Sequence, residues 1–335
     1  MRRRLFIHRF LGGLVGFCAS LSSGESRFRF PFNSVSNQDP AESDILVTVL
    51  GTAQDGGIPQ IGCFCPNCQR AKKDPRFSRL ISSLGILDLK NNKAFIIDAT
   101  PDLRIQYDRI HDRLGRKKTG KKNVPDGILL THAHIGHYTG LMYYGYESAS
   151  TQNLPVYCTK RMGDFLSSNG PWDQLVRLKN ISLLAVDPPK KVNITENISV
   201  YPFLVPHRDE YSDTLGLKIL GPKKSLLYIP DIQSWDRWNR SIKEEVEQTD
   251  IAILDGTFFS PEEFPGRDLS KIGHPFITTS LKILKDTARV SSGRKKVFFT
   301  HLNHTNLALD PEGPERRAVL EAGCDIASEG MEFFL

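Results

Sequence analysis

Three histidines crowd into one short run, Thr131-His132-Ala133-His134-Ile135-Gly136-His137, and this run constrains the chain more than any other feature. The apolar residues 127–130 lead directly into it and are typical of a buried strand. A strand that stops abruptly can bring several ring nitrogens into one turn, and neutral imidazoles are common ligands of zinc and iron. The alternative is a surface turn that is rich in histidine by chance. Because the run holds three of the nine histidines in the chain, we interpret it as part of a metal site.

Four further residues with metal-binding side chains come directly after predicted strands. These residues are His207, Asp231, Asp255 and His301. A single histidine or aspartate after a strand is more often a cap or a turn residue. Functional groups in α/β proteins, however, commonly collect where several strands end at one edge of a sheet. Four such positions, together with the histidine run, predict one shared site.

The pattern of apolar residues predicts a β-rich stretch with outer helices, and this arrangement occurs twice along the chain. The first half has predicted strands at 45–50, 84–89, 94–97 and 127–130 and helices at 101–114 and 140–146. The second half repeats the pattern, with a hairpin turn at 221–224 and helices at 243–248, 278–288 and 311–321. The expected fold class is α/β, with two mixed β-sheets packed as a sandwich between layers of helices.

The cysteines favour metal binding over disulfides. Cys63, Cys65 and Cys68 are clustered, whereas the other three cysteines are scattered along the chain. Cysteines this close in sequence form strained disulfides but good thiolate clusters. A buried or disulfide-bonded cluster is the alternative.

The charge of the chain does not indicate a nucleic-acid-binding protein. The net charge is +6, but four of these charges are arginines within residues 1–9, so the rest of the chain is nearly neutral. The basic run 116–122 is then best interpreted as a solvated loop. The arginines precede a short apolar stretch and small residues, which is typical of a signal peptide. We expect a signal peptide at 1–25, a linker at 26–43 and a folded domain at 44–335, with a cytosolic leader as the alternative.

The histidine run resembles the first metal-binding motif of the metallo-β-lactamase fold superfamily, H-x-H-x-D-H. The matching positions are His132, His134, Gly136 and His137. The resemblance implies the αββα sandwich of that superfamily, with one metal on His132, His134 and His207. It also implies a second metal on His137 and His301, with Asp231 bridging the two ions. Gly136 departs from the motif, since glycine has no side chain to bind metal, so the second site is incomplete or is completed by water or another residue.

Further motifs are similar to the coenzyme PQQ synthesis protein B family, from Gly51 to nearly the end of the chain. They include Gly56-Gly57-Ile58-Pro59-Gln60, Ala99-Thr100-Pro101-Asp102-Leu103-Arg104 and Asp255-Gly256-Thr257-Phe258. The C-x-C-x-x-C cluster also resembles a cyclic-phosphate phosphodiesterase of the same superfamily. That resemblance implies a structural zinc on Cys63, Cys65, Cys68 and His304, which follows His301 by three residues.

Other polar residues have weaker assignments. His274 is interpreted either as a general acid for the leaving group or as a simple loop histidine. Asp55 and Asp102 are more readily explained by a turn and a helix start than by catalysis, and His111 by the surface of a helix.

These patterns predict a metal-dependent hydrolase, in which water activated by the metal attacks a small phosphodiester or related ester. Asp231 and His274 would be its catalytic residues. The alternatives are a cofactor-synthesis hydroxylase like the PQQ synthesis B family, and a non-catalytic metal-binding protein with a degenerate site.

The expected cofactors are a structural Zn²⁺ and one or two Zn²⁺ ions in the active site, where Mn²⁺ and Fe²⁺ are the alternatives. The expected partner is a small-molecule substrate, with no nucleic acid and no stable membrane insertion; a homodimer stays open. We expect an exported, periplasmic protein, or a cytoplasmic one if the leader is no signal.

Overall fold

The structure is a computed structural model that describes residues 43–114, 116, 123–287 and 296–335. The predicted signal peptide 1–25, the linker 26–43 apart from its last residue, and positions 117–122 of the basic run lie outside the described residues. The end of the helix predicted at 278–288 also lies outside them.

The first sheet has seven strands and combines antiparallel with parallel pairing. The strands are β1 (Ile45–Gly51), β2 (Ser83–Asp88), β3 (Lys93–Ile97), β4 (Gly127–Leu129), β5 (Leu154–Thr159), β6 (Ile181–Val186) and β14 (Glu332–Phe334). Their spatial order is β14-β1-β2-β3-β4-β5-β6, with antiparallel pairing from β14 to β3 and parallel pairing from β3 to β6. Strands β6 and β14 lie outside the strands predicted from the sequence.

The second sheet repeats this plan with seven strands in the order β13-β12-β11-β10-β9-β8-β7. Pairing is antiparallel from β7 to β10 and parallel from β10 to β13. The strands are β7 (Val192–Asn193), β8 (Ser199–Val205), β9 (Thr214–Leu220), β10 (Ser225–Ile229), β11 (Ile251–Asp255), β12 (Lys296–Thr300) and β13 (Asp325–Ile326). The predicted hairpin turn at 221–224 joins β9 to β10, and Gly221 N donates to Lys224 O at 3.0 Å.

Both faces of each sheet are buried, which explains the nearly continuous apolar runs in the central strands. In β1, Ile45, Val47 and Val49 point into the core between the two sheets. Leu46 and Leu50 alternate with them and pack in a second core on the helical side. A third core lies between the second sheet and its helices. These layers confirm the predicted sandwich of two mixed sheets flanked by helices.

Eight α-helices accompany the strands in the part of the chain that the structure describes. They are α1 (Pro66–Lys73), α2 (Leu103–Leu114), α3 (Ile135–Tyr138), α4 (Lys160–Ser168), α5 (Trp172–Arg177), α6 (Ile242–Glu247), α7 (Ile277–Leu284) and α8 (Pro314–Glu321). Buried residues of α2, α4 and α5 pack in the core beside the first sheet, and those of α1, α6, α7 and α8 beside the second. Within the described ranges, no helix combines the length and the apolar character needed to cross a membrane.

The helix predicted at 140–146 is wrong, because this segment forms a 3₁₀ turn over Thr139–Tyr144 after the single-turn helix α3. The N–H of Gly140 donates to the carbonyl of Ala99 at 2.8 Å, which ties the start of this segment to the loop after β3. A Cβ at position 140 would lie 2.0 Å from the carbonyl oxygen of Thr100. The close approach to a neighbouring loop therefore sets the tighter conformation here.

Candidate metal centre

The ends of four strands bring the histidine run and three distant residues to one edge of the sandwich. The run follows β4, and His207 and Asp231 come two residues after β8 and β10, while His301 directly follows β12. Together with the side chains of Asp55 and His274, they form three overlapping groups of potential metal ligands, the third of which contains Asp231, His274 and His301. The structure therefore brings together the ligand residues that the sequence predicts for an active-site metal.

The first group contains His132, His134, His207 and Asp231. Nδ1 of His134 lies 2.9 Å from Nε2 of His132 and 3.1 Å from Nε2 of His207. Oδ2 of Asp231 lies 3.3 Å from Nε2 of His132 and 3.2 Å from Nε2 of His207. Tetrahedral zinc with Zn–N bonds of about 2.0–2.1 Å holds its ligand atoms about 3.3 Å apart. The spacing of these four side chains thus fits one zinc ion.

The second group contains Asp55, His137 and His301. Nε2 of His137 lies 3.3 Å from Nε2 of His301 and 3.4 Å from Oδ1 of Asp55. Oδ2 of Asp231, which belongs to the first group, lies 3.9 Å from Nε2 of His301. Asp231 therefore stands between the two groups, in the position of a bridging carboxylate.

Hydroxyl groups fix the tautomers of two of these histidines. The hydroxyl of Thr257 donates its proton to Asp255 Oδ1 at 2.8 Å, so it accepts the Nδ1–H of His301 at 2.9 Å. The hydroxyl of Thr131 donates to Asp98 and in the same way accepts the Nδ1–H of His132 at 3.0 Å. Both imidazoles consequently direct the lone pair of Nε2 into the site.

Asp98 orients the third imidazole of the run. Its Oδ2 accepts a 2.7 Å hydrogen bond from Nδ1 of His137, and both side chains are fully buried. Sequence reasoning missed Asp98 and the hydroxyl groups of Thr131 and Thr257. The available signal was positional, since Asp98 follows β3 just as the predicted ligands follow their strands.

Several buried atoms in the site have free lone pairs. Among the described residues, Oδ1 of Asp55 and Oδ1 of Asp231 are buried and accept no hydrogen bond. Buried acceptors without a partner are rare, because each costs about 1–3 kcal/mol. Together with the inward lone pairs of the imidazoles, they make a set of donors that suits a divalent cation.

The ionisable side chains of this site change one another's pKa values strongly. Burial and the neighbouring charge of His137 hold the pKa of His132 well below its usual range, so this imidazole is neutral. Burial opposes a charge on His137, but Asp98 and Asp55 outweigh it and keep its pKa well above normal. Burial also opposes a charge on Asp231, but His274, His207 and His301 keep its pKa well below normal. Asp231 therefore stays ionised, as a metal-binding carboxylate must be.

His274 joins this site from the loop before α7. Its Nδ1 lies 2.9 Å from Oδ2 of Asp255 and 3.3 Å from Oδ1 of Asp231. Burial opposes the protonated form, yet Asp255 and Asp231 raise the pKa of His274 to about 9. Asp255 itself touches His274, Thr257 and the N–H of Ile232, so it positions neighbours and is not among the grouped metal ligands.

Cys63, Cys65, Cys68 and His304 form a separate group beside this site. Nδ1 of His304 lies 3.3 Å from Sγ of Cys63 and 3.4 Å from Sγ of Cys65. Tetrahedral zinc places a thiolate sulfur and an imidazole nitrogen about 3.6 Å apart, so this group also fits one ion. None of the five described cysteines forms a disulfide. The N–H of Cys65 lowers the pKa of Cys63, whereas burial raises that of Cys68 to about 12.

The remaining sequence candidates lie elsewhere. Asp102 lies directly before α2, but its Oδ2 accepts the N–H of Ile81 at 2.9 Å and so ties the helix start to the segment before β2. His111 lies within α2 and belongs to none of these ligand groups. Asp55, for which a turn role was expected, instead faces His137 and His301.

Comparison with known proteins agrees with this geometry. Residues 93–302 match the family model of the beta-lactamase superfamily domain. Coenzyme PQQ synthesis protein B of Nitrosococcus oceani is 27% identical over 321 residues, which cover 87% of this chain and 100% of that protein. The protein of the same name from Bradyrhizobium diazoefficiens is 27% identical over 317 residues, covering 87% and 100%.

Solved structures show the same fold. Zn²⁺-bound PqqB from Methylobacterium extorquens superposes with a TM-score of 0.72 at 22% identity, covering 87% of this chain and 100% of that one. A diphosphatase from the PhnP family gives a TM-score of 0.63 at 22% identity, with 87% and 97% covered. The family match covers more than half of the chain and includes the histidine run, His207, Asp231 and His301. The chain therefore belongs to the beta-lactamase superfamily and has the metallo-β-lactamase fold.

Proposed function

We propose that this protein is a metal-dependent hydrolase that cleaves a small phosphodiester or a related ester. The observation that carries the proposal is the position of Asp231 between two groups of ligands, with His132 and His207 on one side and His301 on the other. Such an arrangement suits a pair of ions on either side of a reacting group. A bound metal would supply Lewis acidity and lower the pKa of water near the site to about 7.

The side chains of the chain have separate tasks in this proposal. His132, His134 and His207 would hold a first ion, and His137 and His301 would hold a second. Asp231 is ionised and contacts both groups, so its carboxylate would be available to either ion. Thr131, Thr257 and Asp98 hold the imidazole rings in the tautomer and orientation that metal binding needs.

His274 is the proposed general acid. Its raised pKa keeps it protonated at neutral pH, and Asp255 and Asp231 engage its Nδ1. The proton on Nε2 is then the one available to the departing oxygen of the leaving group. Asp255 acts through His274 and is a positioning residue.

We also propose that the group of Cys63, Cys65, Cys68 and His304 holds a structural zinc. Four protein ligands fill a tetrahedral shell and leave no position for a substrate. The ion would join the loop after β1 to the loop after β12, because His304 follows His301 by three residues. The active-site edge would be braced by this link.

A role like that of PQQ synthesis protein B is the second candidate. The whole-length similarity to two proteins of that name supports it, since each is covered completely at 27% identity. In this case the site would carry out metal-dependent hydroxylation in the synthesis of a cofactor. The complete set of histidines in two ligand groups is the reason to place hydrolysis first.

Elemental analysis of the purified, unsupplemented protein, combined with hydrolysis assays, separates these candidates. Two or three zinc or manganese ions per chain, with turnover of bis(4-nitrophenyl) phosphate, would support the hydrolase. One zinc plus iron, with oxygen-dependent turnover, would support the hydroxylase. A single zinc that disappears in the Cys65→Ser variant would mean an empty active site and would refute both enzymatic proposals.

Export remains a proposal that depends on residues 1–25 alone. The basic start and short apolar stretch support it. Fractionation of cells that express the full chain tests it: a shortened protein in the periplasm is expected, and a full-length cytoplasmic protein would contradict it.

A further inference from the structure

Position 136 is the one ligand position of the H-x-H-x-D-H motif at which this chain has no metal-binding side chain. Gly136 lies directly before His137 in the single-turn helix α3 and is buried. A Cβ built on Gly136 would lie 2.1 Å from Oδ1 and 2.8 Å from Cα of Asp55. The space beside Gly136 is therefore already filled by an aspartate from another part of the chain, and no other residue fits at 136 while Asp55 stays in place.

Asp55 faces the second group of ligands. Its Oδ1 lies 3.4 Å from Nε2 of His137 and 3.9 Å from Nε2 of His301. This oxygen is buried and accepts no hydrogen bond from the described residues. A buried carboxylate oxygen beside two imidazole nitrogens, with its lone pairs free, has the composition and direction of a metal ligand.

The backbone around Asp55 is tied to the segment that carries His301. The N–H of Gln54 donates to the carbonyl of Leu302 at 2.9 Å, and the N–H of Leu302 donates to the carbonyl of Thr52 at 2.8 Å. These hydrogen bonds join the residues just before Asp55 to the residue just after His301. The two side chains are consequently held together by the fold, although they are distant in sequence.

We propose that Asp55 is a ligand of the second metal ion, which it holds together with His137, His301 and Asp231, and that Gly136 is the residue that makes room for it. The carboxylate thus comes from the loop after β1 and not from the histidine run. This inference rests on the proposed metal-dependent function, but it concerns the binding of an ion and not the reaction.

Removal of the Asp55 carboxylate is the sharpest test. Asp55→Ala should remove the carboxylate, and Asp55→Asn should keep the shape of the side chain while removing its charge. Asp102→Ala is the matched control, because Asp102 is a partly buried carboxylate outside both groups.

Ion binding is measured without substrate, by titrating the metal-free protein with Co²⁺ and following visible absorption, and by elemental analysis after loading with Zn²⁺. The parent protein and Asp102→Ala should bind three ions, including the one at the cysteines. Asp55→Ala should bind two ions tightly and the third at least about 100-fold more weakly than the parent protein does. Loss of a residue that contacts only a ligand, and not the ion itself, typically weakens metal binding by ~10–100-fold. Asp55→Asn should also bind the third ion more weakly than the parent, because it lacks the carboxylate charge.

Retention of the cysteine-bound ion in Asp55→Ala, together with an unchanged circular dichroism spectrum, shows that the variant is folded. The proposal is overturned if folded Asp55→Ala binds the third ion as tightly as the parent, or if the parent binds only two ions. A protein that loads three ions and hydrolyses no ester would refute the proposed hydrolase while leaving the role of Asp55 supported. The two proposals can therefore fail separately.

Discussion

Asp98 accepts a 2.7 Å hydrogen bond from Nδ1 of His137, and the two side chains are completely buried against each other. Asp98 also accepts the N–H of Thr131 at 2.8 Å, so the start of the histidine run is anchored to the same carboxylate. The backbone of Asp98 is in the left-handed region, with φ of 68°, a conformation that costs a non-glycine residue about 1 kcal/mol or more. His301 shares this feature, with φ of 60°. Strain of this kind is typical of sites where side chains are held in fixed directions.

Replacing Asp98 by asparagine should weaken the binding of the second metal ion. The amide keeps the shape of the side chain but removes the charge that supports the His137 imidazole, so affinity should fall about 10–100-fold. Competition titration with a zinc chelator measures this change. Asp88→Asn is the control, because Asp88 is a buried carboxylate that binds Asn91 far from the histidine run. Equal affinities in the two variants would contradict a role for Asp98.

His132→Ala should remove the first ion and abolish hydrolysis while leaving the protein folded. The loss is expected because Nε2 of His132 is one of four converging ligand atoms. Elemental analysis, turnover and thermal unfolding are measured on the same preparation. His111→Ala, in the last turn of α2, should keep both the metal and the activity. Full turnover by the His132→Ala variant would refute the assignment of the site.

Cys65→Ser should remove one bound zinc ion and destabilise the domain. An ion that binds the folded protein and is released on unfolding adds its binding free energy to the stability of the domain, which is about 3 kcal/mol or more for tight binding. For a domain of this size we expect the unfolding midpoint to fall by roughly 6–12 °C. Cys158→Ser replaces a buried cysteine of the core by the first sheet and should keep the full zinc content. A Cys65→Ser variant with unchanged zinc and midpoint would exclude the structural ion.

The rate of hydrolysis should fall at alkaline pH as His274 loses its proton, because the neighbouring carboxylate of Asp255 raises the pKa of His274 above its ordinary value. A raised pKa means that His274 keeps its proton below that pKa and loses it above, so the acid form is present at neutral pH. His274→Gln should lower kcat by about 10²–10⁴-fold and remove the alkaline fall. The pH dependence of kcat measures both effects.

Asp255→Asn provides a finer test of the same residue. Asp255 is the nearest charge that raises the pKa of His274, so the alkaline fall should move to lower pH in this variant. A merely structural role for Asp255 would reduce the rate without moving the profile. An alkaline fall that persists unchanged in His274→Gln would assign it to another group.

Much of this organisation follows from local patterns. The alternation of apolar residues and the turn at 221–224 predict the two sheets, and the helices flank them as expected. The histidine run and the residues after β8, β10 and β12 supply the ligand types. The helix predicted at 140–146 was wrong, because the backbone at Gly140 packs closely against the loop at Ala99 and Thr100 and the segment forms a 3₁₀ turn. No local pattern contains that contact.

The sequence by itself determined which chemical groups the protein can offer to a metal, since imidazole, thiolate and carboxylate are properties of single residues and their short spacing. Only the tertiary structure decided which of them meet. His137 and His301 are 164 positions apart, and Asp55 reaches them because the loop after β1 is hydrogen-bonded beside the end of β12. In the sequence, neither the glycine at 136 nor the aspartate at 55 indicates by itself that the two residues are neighbours. They become one feature when the packing of two sheets places a carboxylate where a side chain is missing.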